Sequence, residues 1–280
     1  GISDSNILSG ALEFSEALSS IGTQPIIGTQ ILFKYKNFTG FIPLIAKNTF
    51  GYKNIIELSS KSYLDNSKTT DPHCDFDDLL NKSSGIIVLS GSIRCLLGNL
   101  FNKGLFIEIE DIISKLSKTF KDDFYIEIQR HDDLNEKEFE FFNLNISKKF
   151  NIPIVATNEV YYLDQNMFEA HDALMCIGEK TYVNDVNRFK LSDQHYFKSS
   201  EEMIGLFSDL PEALENNYNL PYRCSYRPQP SKPILPSISV KDISTNDLLI
   251  KESNEGLKEK FVKYFKIEKK DLEKNRNYLS

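Results

Sequence analysis

Polar side chains follow two apolar runs at the points where a sheet would place its chemistry. Residues 152–157 form a short run rich in β-branched side chains, typical of a strand buried on both faces, and Glu159 and Tyr161 come directly after it. Residues 124–129 alternate like a strand and lead to His131. Because α/β proteins carry out chemistry at the carboxyl ends of their strands, we expect these side chains at one sheet edge. A carboxylate and an imidazole are side chains that hold divalent metals.

The elements that must position these residues alternate along the chain. Strand patterns occur at 25–28, 31–35, 41–46, 86–90, 124–129 and 152–157. Helix patterns occur at 6–21, 52–63, 75–82, 93–101, 108–120, 136–150 and from Asp164 to about residue 177. This alternation predicts an α/β fold with a mostly parallel sheet and right-handed crossovers, closed as a barrel.

The regular alternation of strand and helix patterns ends after residue 177. Residues 181–196 are polar and irregular, and helices are predicted at 199–207, which opens as a capping box, and from Pro211. Four prolines then predict an extended linker, and they are Pro228, Pro230, Pro233 and Pro236. Residues 245–265 predict an amphipathic helix.

Composition excludes several classes of protein. A formal net charge of -7 and a pI of about 5.3 argue against a stand-alone nucleic-acid binder. No apolar run approaches the roughly 18 residues of a membrane helix, and no signal peptide is visible. Four scattered cysteines without a zinc-like spacing predict reduced core thiols and a cytoplasmic location. Because the first residue is not Met and the chain opens on a polar turn, we expect a fragment of a longer protein.

Some candidate metal ligands have a simpler interpretation. Asp75 and Asp77 form a D-x-D pair, but they precede two helical leucines, so helix capping is the preferred interpretation. His171 lies on a predicted helix beside Asp172, where a packed, hydrogen-bonded side chain is preferred over a ligand. His73 and His195 lie in polar loops and receive no role.

Several long segments of the sequence resemble, in their order and spacing, the motifs of one protein family. They are SDSNILSGALEFSEALSSIGTQPIIGTQ, FYIEIQRH, IPIVATNEVYYL, EAHDALMCI, DVNRF, YFKSSEEMIGLFSDLPEALEN and KPILP. Together they resemble the bacterial DNA polymerase III alpha subunit along nearly the whole chain. The resemblance implies that residues 1–227 form a polymerase and histidinol phosphatase (PHP) domain, a distorted (β/α)7-type barrel. Residues 228–280 would be a Pro-rich linker and the beginning of the palm.

The resemblance also implies which residues once belonged to a metal site. Asp4, His131 and Glu159 stand at ligand positions of that family, whereas three further ligand positions carry Ser5, Gln30 and Tyr161. A hydroxyl, an amide and a phenol are poor substitutes for imidazole and carboxylate. We therefore expect no intact metal site, and a remnant cluster that either supports the barrel through hydrogen bonds or retains some metal binding. Asp4, His131 and Glu159 are expected to converge in one pocket, with Gln30 and Tyr161 lining it.

The function implied is part of a replicative DNA polymerase. The first PHP strand, with its H-x-H motif, is expected before Gly1, and the magnesium-holding palm aspartates after Ser280, so no cofactor is expected in this segment. The implied partners are a proofreading exonuclease subunit at the PHP domain, and the sliding clamp, clamp loader and primer-template DNA elsewhere, without a membrane. The alternatives are a free-standing PHP phosphoesterase, such as a histidinol phosphatase, and an unrelated α/β barrel enzyme.

Overall fold

A computed structural model describes residues 1–66, 70–233 and 243–265. The strands are β1 (Ile2–Ser5), β2 (Ile27–Tyr35), β3 (Phe38–Ala46), β4 (Cys74–Asp75), β5 (Ile86–Leu89), β6 (Phe124–Ile128) and β7 (Ile154–Ala156). The helices are α1 (Ala11–Ser20), α2 (Thr49–Leu64), α3 (Phe76–Asn81), α4 (Leu96–Asn102), α5 (Phe106–Phe120), α6 (Glu136–Phe150), α7 (Phe168–Glu179), α8 (Ser200–Leu206), α9 (Pro211–Asn219) and α10 (Thr245–Phe265).

The strands form one curled sheet in the order β1-β2-β3-β5-β6-β7, with β4 paired to β2. Strands β1 and β2, β2 and β4, β5 and β6, and β6 and β7 pair in parallel, and β3 is antiparallel to both neighbours. The prediction of a distorted α/β barrel is confirmed. Because β1, β2, β5, β6 and β7 all run the same way, their carboxyl ends share one edge of the sheet.

Strand β2 is longer than the sequence indicated. Two separate strands were predicted around Thr29 and Gln30, but the structure has one continuous strand, because the buried Thr29 hydroxyl donates a hydrogen bond to the Asp4 carbonyl at 2.6 Å. A two-residue turn then reverses the chain, with Lys36 in the left-handed region at φ 54°. The polar residues of β2 are therefore compatible with a buried strand.

Strands β5 to β7 are buried on both faces, as predicted for residues 152–157. Ile86, Val88 and Ile126 join the main core, which also takes in the inward faces of α2, α4, α5 and α6. The alternate residues Ile87 and Leu89 join a smaller core with Tyr125, Val155 and Cys224. Because both faces of these strands are buried, the polar residues that follow each strand lie at the sheet edge, beyond the two cores.

The backbone separates into two compact units, Gly1–Gln229 and Pro230–Ser280. Within the second unit, Ser244 precedes α10 and its hydroxyl accepts a hydrogen bond from the Asp247 main-chain N–H at 3.2 Å. The predicted linker falls partly outside the described residues, because Pro236 lies there. The assignment of these stretches to a PHP domain and the start of a palm remains a prediction.

Candidate functional site

A pocket of charged and imidazole side chains lies at the carboxyl edge of β5, β6 and β7. We call it the edge pocket and define it by Arg94, His131, Asp133, Glu159 and His195. The two imidazole rings are buried and stack in parallel, with 4.1 Å between centroids and an interplanar angle of 4°. Each of the five residues comes from a segment that follows a strand or crosses above the sheet edge, so the topology brings them together.

His195 is held from both ring nitrogens. Its Nδ1 lies 3.0 Å from the Glu159 carbonyl oxygen, which can only accept, so the proton is on Nδ1. Its Nε2 lies 3.2 Å from Arg94 Nη2, and because a guanidinium can only donate, Nε2 is the acceptor of this hydrogen bond. Asp133 Oδ1 lies 3.7 Å from the same Nε2. Sequence reasoning assigned His195 no role, and the structure places it in the edge pocket because its loop returns over the sheet edge.

His131 is fixed to the ends of two elements. Its main-chain N–H donates to Glu136 Oε2 at 2.7 Å, and its ring Nδ1 lies 3.4 Å from Glu136 Oε1. Its Nε2 lies 3.0 Å from Asn158 Oδ1 and 3.2 Å from the main-chain nitrogen of Glu159. These contacts tie the end of β6 to the start of α6 and to the end of β7.

Arg94 brings a positive charge into the edge pocket. Its Nη2 lies 2.6 Å from Glu159 Oε2 and 3.4 Å from Asp133 Oδ2. Burial by itself would lower the pKa of Arg94, but the carboxylates of Glu159 and Asp133 outweigh burial and raise it. For Asp133, burial opposes ionisation, yet the nearby His195 ring and the charge of Arg94 hold its pKa below the usual range. The guanidinium is therefore a permanent part of the pocket's charge balance.

Tyr161 completes the surroundings of Glu159. Its hydroxyl donates to Glu159 Oε1 at 2.7 Å. Burial, followed by the charge of Glu159, raises the pKa of the Tyr161 phenol, so it stays a neutral donor. Both carboxylate oxygens of Glu159 thus have donors, one from Tyr161 and one from Arg94. Tyr161 is placed beside Glu159, as expected.

Asp4, Ser5 and Gln30 form a second polar group on β1 and β2. Gln30 Nε2 donates to Ser5 Oγ at 3.0 Å, and Asp4 lies opposite Thr29 in the register. Within the described ranges, no hydrogen bond or ion pair joins this group to the edge pocket. Their strand ends share the sheet edge with His131 and Glu159, and convergence of Asp4 and Gln30 with His131, Glu159 and Tyr161 in one pocket stays a prediction.

The other candidate ligands take part in helix capping or in side-chain packing. The Asp75 main-chain N–H donates to Asp78 Oδ2 at 3.1 Å at the start of α3, which confirms the capping interpretation. The His171 ring packs against the rings of Tyr161 and Tyr162, at centroid distances of 5.6 and 5.3 Å. The four cysteines are buried and unbonded to one another, as predicted.

The metal chemistry implied by the family can be tested against the donors present. In the part of the chain that the structure describes, one group of at least three His, Cys, Asp and Glu side chains could share a cation, and it is His131, Asp133 and His195. Their candidate ligand atoms lie within 4.8 Å of one another. However, the His195 lone pair and Glu159 Oε2 already accept from Arg94. A multinuclear metal centre does not fit this donor set.

Sequence reasoning missed Arg94, Asp133 and His195. Asp133 follows His131 by two residues, and that proximity was an available signal. Arg94 and His195 are separated by 101 positions, and Arg94 and Glu159 by 65. Neither contact has a local signature, so only the folded chain reveals them.

Comparison with known proteins finds one family model and several relatives that are similar to this chain. Residues 1–131 match the PHP domain family. The DNA polymerase III alpha subunit of Rickettsia bellii is 38% identical over 97% of this chain and 23% of the relative. Those of Haemophilus influenzae and Caulobacter vibrioides are 35% identical, over 99% and 92% of this chain and 24% and 23% of each relative. The chain thus spans about a quarter of the length of these relatives.

The matches agree with the fold and with the sheet edge that carries the pocket. None of the helices in the described ranges is long and apolar enough to cross a membrane. Residues 1–131 thus match the PHP domain family, and nearly the whole chain is similar to one segment of the DNA polymerase III alpha subunits.

Proposed function

We propose that this chain serves in a bacterial replicative DNA polymerase as a PHP domain that supports and docks, without hydrolysing phosphoesters. The observation that carries the proposal is the state of Glu159 and His195, whose acceptor atoms already bond to Arg94 and Tyr161. Metal-assisted hydrolysis requires an open coordination position for water. The Arg94 guanidinium, which donates to both Glu159 and His195, lies where such a water would have to bind.

The remaining family ligand positions support the same proposal. Ser5 and Gln30 hydrogen-bond to each other, and neither side chain is a strong ligand for zinc or manganese. We assign template-directed DNA synthesis to the full-length protein, through palm aspartates and magnesium, and no residue of this chain to that chemistry. The proposed partners are a proofreading exonuclease subunit at the PHP domain, and the sliding clamp, clamp loader and primer-template DNA elsewhere, in the cytoplasm.

The second candidate is a stand-alone metal-dependent PHP phosphoesterase. One observation favours it, namely the retained group of His131, Asp133 and His195 with ligand atoms within 4.8 Å. Two imidazoles and one carboxylate are a sufficient ligand set for a single zinc ion. The length of the match to polymerase relatives argues against this candidate, because it continues beyond the PHP match to cover nearly the whole chain.

The test is metal analysis after dialysis together with hydrolysis of a chromogenic phosphoester. The proposal predicts substoichiometric zinc and manganese, no hydrolysis above the rate of a His131→Ala variant, and no primer extension by this chain. Binding of a purified exonuclease subunit, measured by sedimentation, is expected to be unaffected by chelator. Stoichiometric metal with hydrolysis that His131→Ala abolishes would establish the phosphoesterase instead.

A further inference from the structure

Helix α7 presents an apolar face to solvent, the reverse of what a surface helix usually presents. Ala170, Leu174 and Ile177 recur at helical spacing and are exposed, Leu174 by 64% and Ile177 by 75%. The opposite face packs against the domain, because Asp172 and Cys176 on that side are buried. We call the exposed side the α7 face and define it by Ala170, Leu174 and Ile177.

We propose that the α7 face is a docking site for an amphipathic helix of a partner protein, with lysine or arginine beside its apolar stripe. This inference deepens the proposed function and rests on it, because it names the surface at which a domain that docks would hold its partner.

The spacing of the α7 face suits a helix. Ala170, Leu174 and Ile177 are separated by four and three positions, so their side chains form one ridge along the helix. Such a ridge packs into the groove of a second helix, at an interaxial distance of about 8–10 Å. The small Ala170 side chain allows close approach at one end, and Leu174 and Ile177 supply the apolar area that a partner would remove from water.

The loop that follows α7 is held in place beside the helix. Arg188 donates two hydrogen bonds of 2.6 Å to the Asp172 carboxylate, and these side chains are only 5% and 7% exposed. Arg188 also donates to the Val183 carbonyl at 3.2 Å, and Asp185 Oδ2 accepts from the Tyr182 main-chain N–H at 2.8 Å. Because these contacts already order the loop, binding a partner there costs little further ordering entropy.

This ordered loop extends the apolar surface of α7. Tyr182, Val183 and Val186 are exposed by 79%, 55% and 94%. The loop stays next to the end of the helix, since the Thr181 main-chain N–H donates to the Cys176 carbonyl at 3.0 Å. Single exposed apolar side chains are ordinary, whereas a contiguous group of them on an ordered backbone is typical of a protein interface.

The charges around this surface select the kind of partner. Between residues 160 and 198 the exposed carboxylates outnumber the exposed lysines. The carboxylates are Asp164, Glu169, Glu179, Asp185 and Asp193, and the lysines are Lys180 and Lys190. A second copy of this chain would bring the same acidic surface against itself, and anionic lipid or nucleic acid would be repelled. A helix that carries basic side chains beside its apolar stripe is attracted instead.

The test measures, by fluorescence polarisation, how the 280-residue chain binds two fluorescein-labelled helical peptides. Both peptides carry leucine at heptad positions a and d, and the flanking positions carry lysine in one peptide and glutamate in the other. The lysine peptide should bind more tightly by about 10-fold or more, and added salt should weaken it. Leu174→Gln combined with Ile177→Gln should weaken it by roughly 10- to 100-fold, because apolar area is then no longer buried on binding.

Helix α10 provides a matched control. Leu249 and Ile250 are 65% and 60% exposed, close to the values for Leu174 and Ile177. Leu249→Gln combined with Ile250→Gln should therefore leave binding of the lysine peptide unchanged. Replacing Glu169 and Glu179 by Gln should weaken the lysine peptide by roughly 2- to 10-fold, and should not weaken the glutamate peptide. All the replaced side chains are exposed, so each variant should keep the Tm of wild type.

The contrary results are distinct. Equal loss of binding in the α7 and α10 variants overturns the inference, because the peptide would then adhere to any exposed apolar side chain. A glutamate peptide that binds as tightly as the lysine peptide also overturns it. A wild-type dimer that the α7 variant converts to monomer in sedimentation would assign the face to a second copy, and co-sedimentation with phosphatidylserine vesicles would assign it to a membrane. Phosphoester hydrolysis by wild type would overturn the proposed function while the peptide result stands.

Discussion

Replacing Glu127 by Gln is expected to remove a pH-dependent loss of stability. Glu127 lies on β6, is 6% exposed, and its Oε1 accepts from the Thr157 hydroxyl and from Gln129 Nε2 at 3.0 Å. Its Oε2 is buried without a hydrogen-bond partner. Burial raises the pKa of Glu127, although the hydrogen bonds from Thr157 and Gln129 favour the ionised form.

The sign of the effect follows from proton binding. A raised pKa means that the folded chain holds the Glu127 proton more tightly than the unfolded chain does. The free energy of unfolding should therefore fall as pH rises from the pKa of an unfolded glutamate, about 4.3, to the folded pKa, by about 1.4 kcal/mol for each unit between them. Gln cannot ionise, and it keeps an acceptor for Thr157 and Gln129.

The assay is urea unfolding of wild type, Glu127→Gln and Glu127→Leu from pH 5 to pH 8. The difference in unfolding free energy between Glu127→Gln and wild type should grow in favour of Gln with rising pH, since all other groups cancel. Glu127→Leu leaves two half-buried donors, Thr157 and Gln129, without this acceptor and should cost about 1 kcal/mol. A pH-independent difference between wild type and Glu127→Gln would refute the argument that burial outweighs the hydrogen bonds.

Two further substitutions and one thiol reagent probe how tightly the folded chain is packed. Gly98→Ala should destabilise the chain by about 1–3 kcal/mol, because a Cβ there would lie 2.1 Å from the Ile93 carbonyl oxygen, next to Arg94. Gly205→Ala in α8, where a Cβ meets nothing within 4 Å, should instead be neutral or stabilising in thermal melts, and equal losses would contradict the packing argument. In the folded chain the cysteines should resist a thiol reagent at pH 8, because burial raises the pKa of Cys74 and Cys95 to about 12 and of Cys224 to about 11. All four should react after unfolding, and rapid labelling of the native chain would show that the thiols are accessible.

Local signals predicted most of the secondary structure. Helix α6 has the bounds predicted from periodicity, and the capping box between Ser199 and Glu202 forms as expected, with the Glu202 main-chain N–H 3.2 Å from Ser199 Oγ. Strand β2 was divided in the prediction because Thr29 and Gln30 are polar. Their side chains bond to the neighbouring strand β1, and a single sequence carries no signal for that pairing.

Part of the site was predictable from local sequence patterns. His131 and Glu159 could be placed at the sheet edge because each follows a strand, and parallel strands end together. Arg94 and His195 could not, since their roles depend on where two loops meet above that edge. Ser5, Gln30 and Tyr161 were compared with the metal ligands of the family. The cation in the edge pocket, Arg94, lies outside that comparison.

This difference bears on how a lost metal site is recognised. Counting absent ligands leaves His131, Asp133, Glu159 and His195, which are enough side chains to hold one zinc ion. The hydrogen-bond donors give another answer, because Arg94, a permanent cation, donates to both Glu159 and His195, and Tyr161 donates to the second oxygen of Glu159. A cluster can thus keep a set of possible ligands and still hold a cation of its own among them.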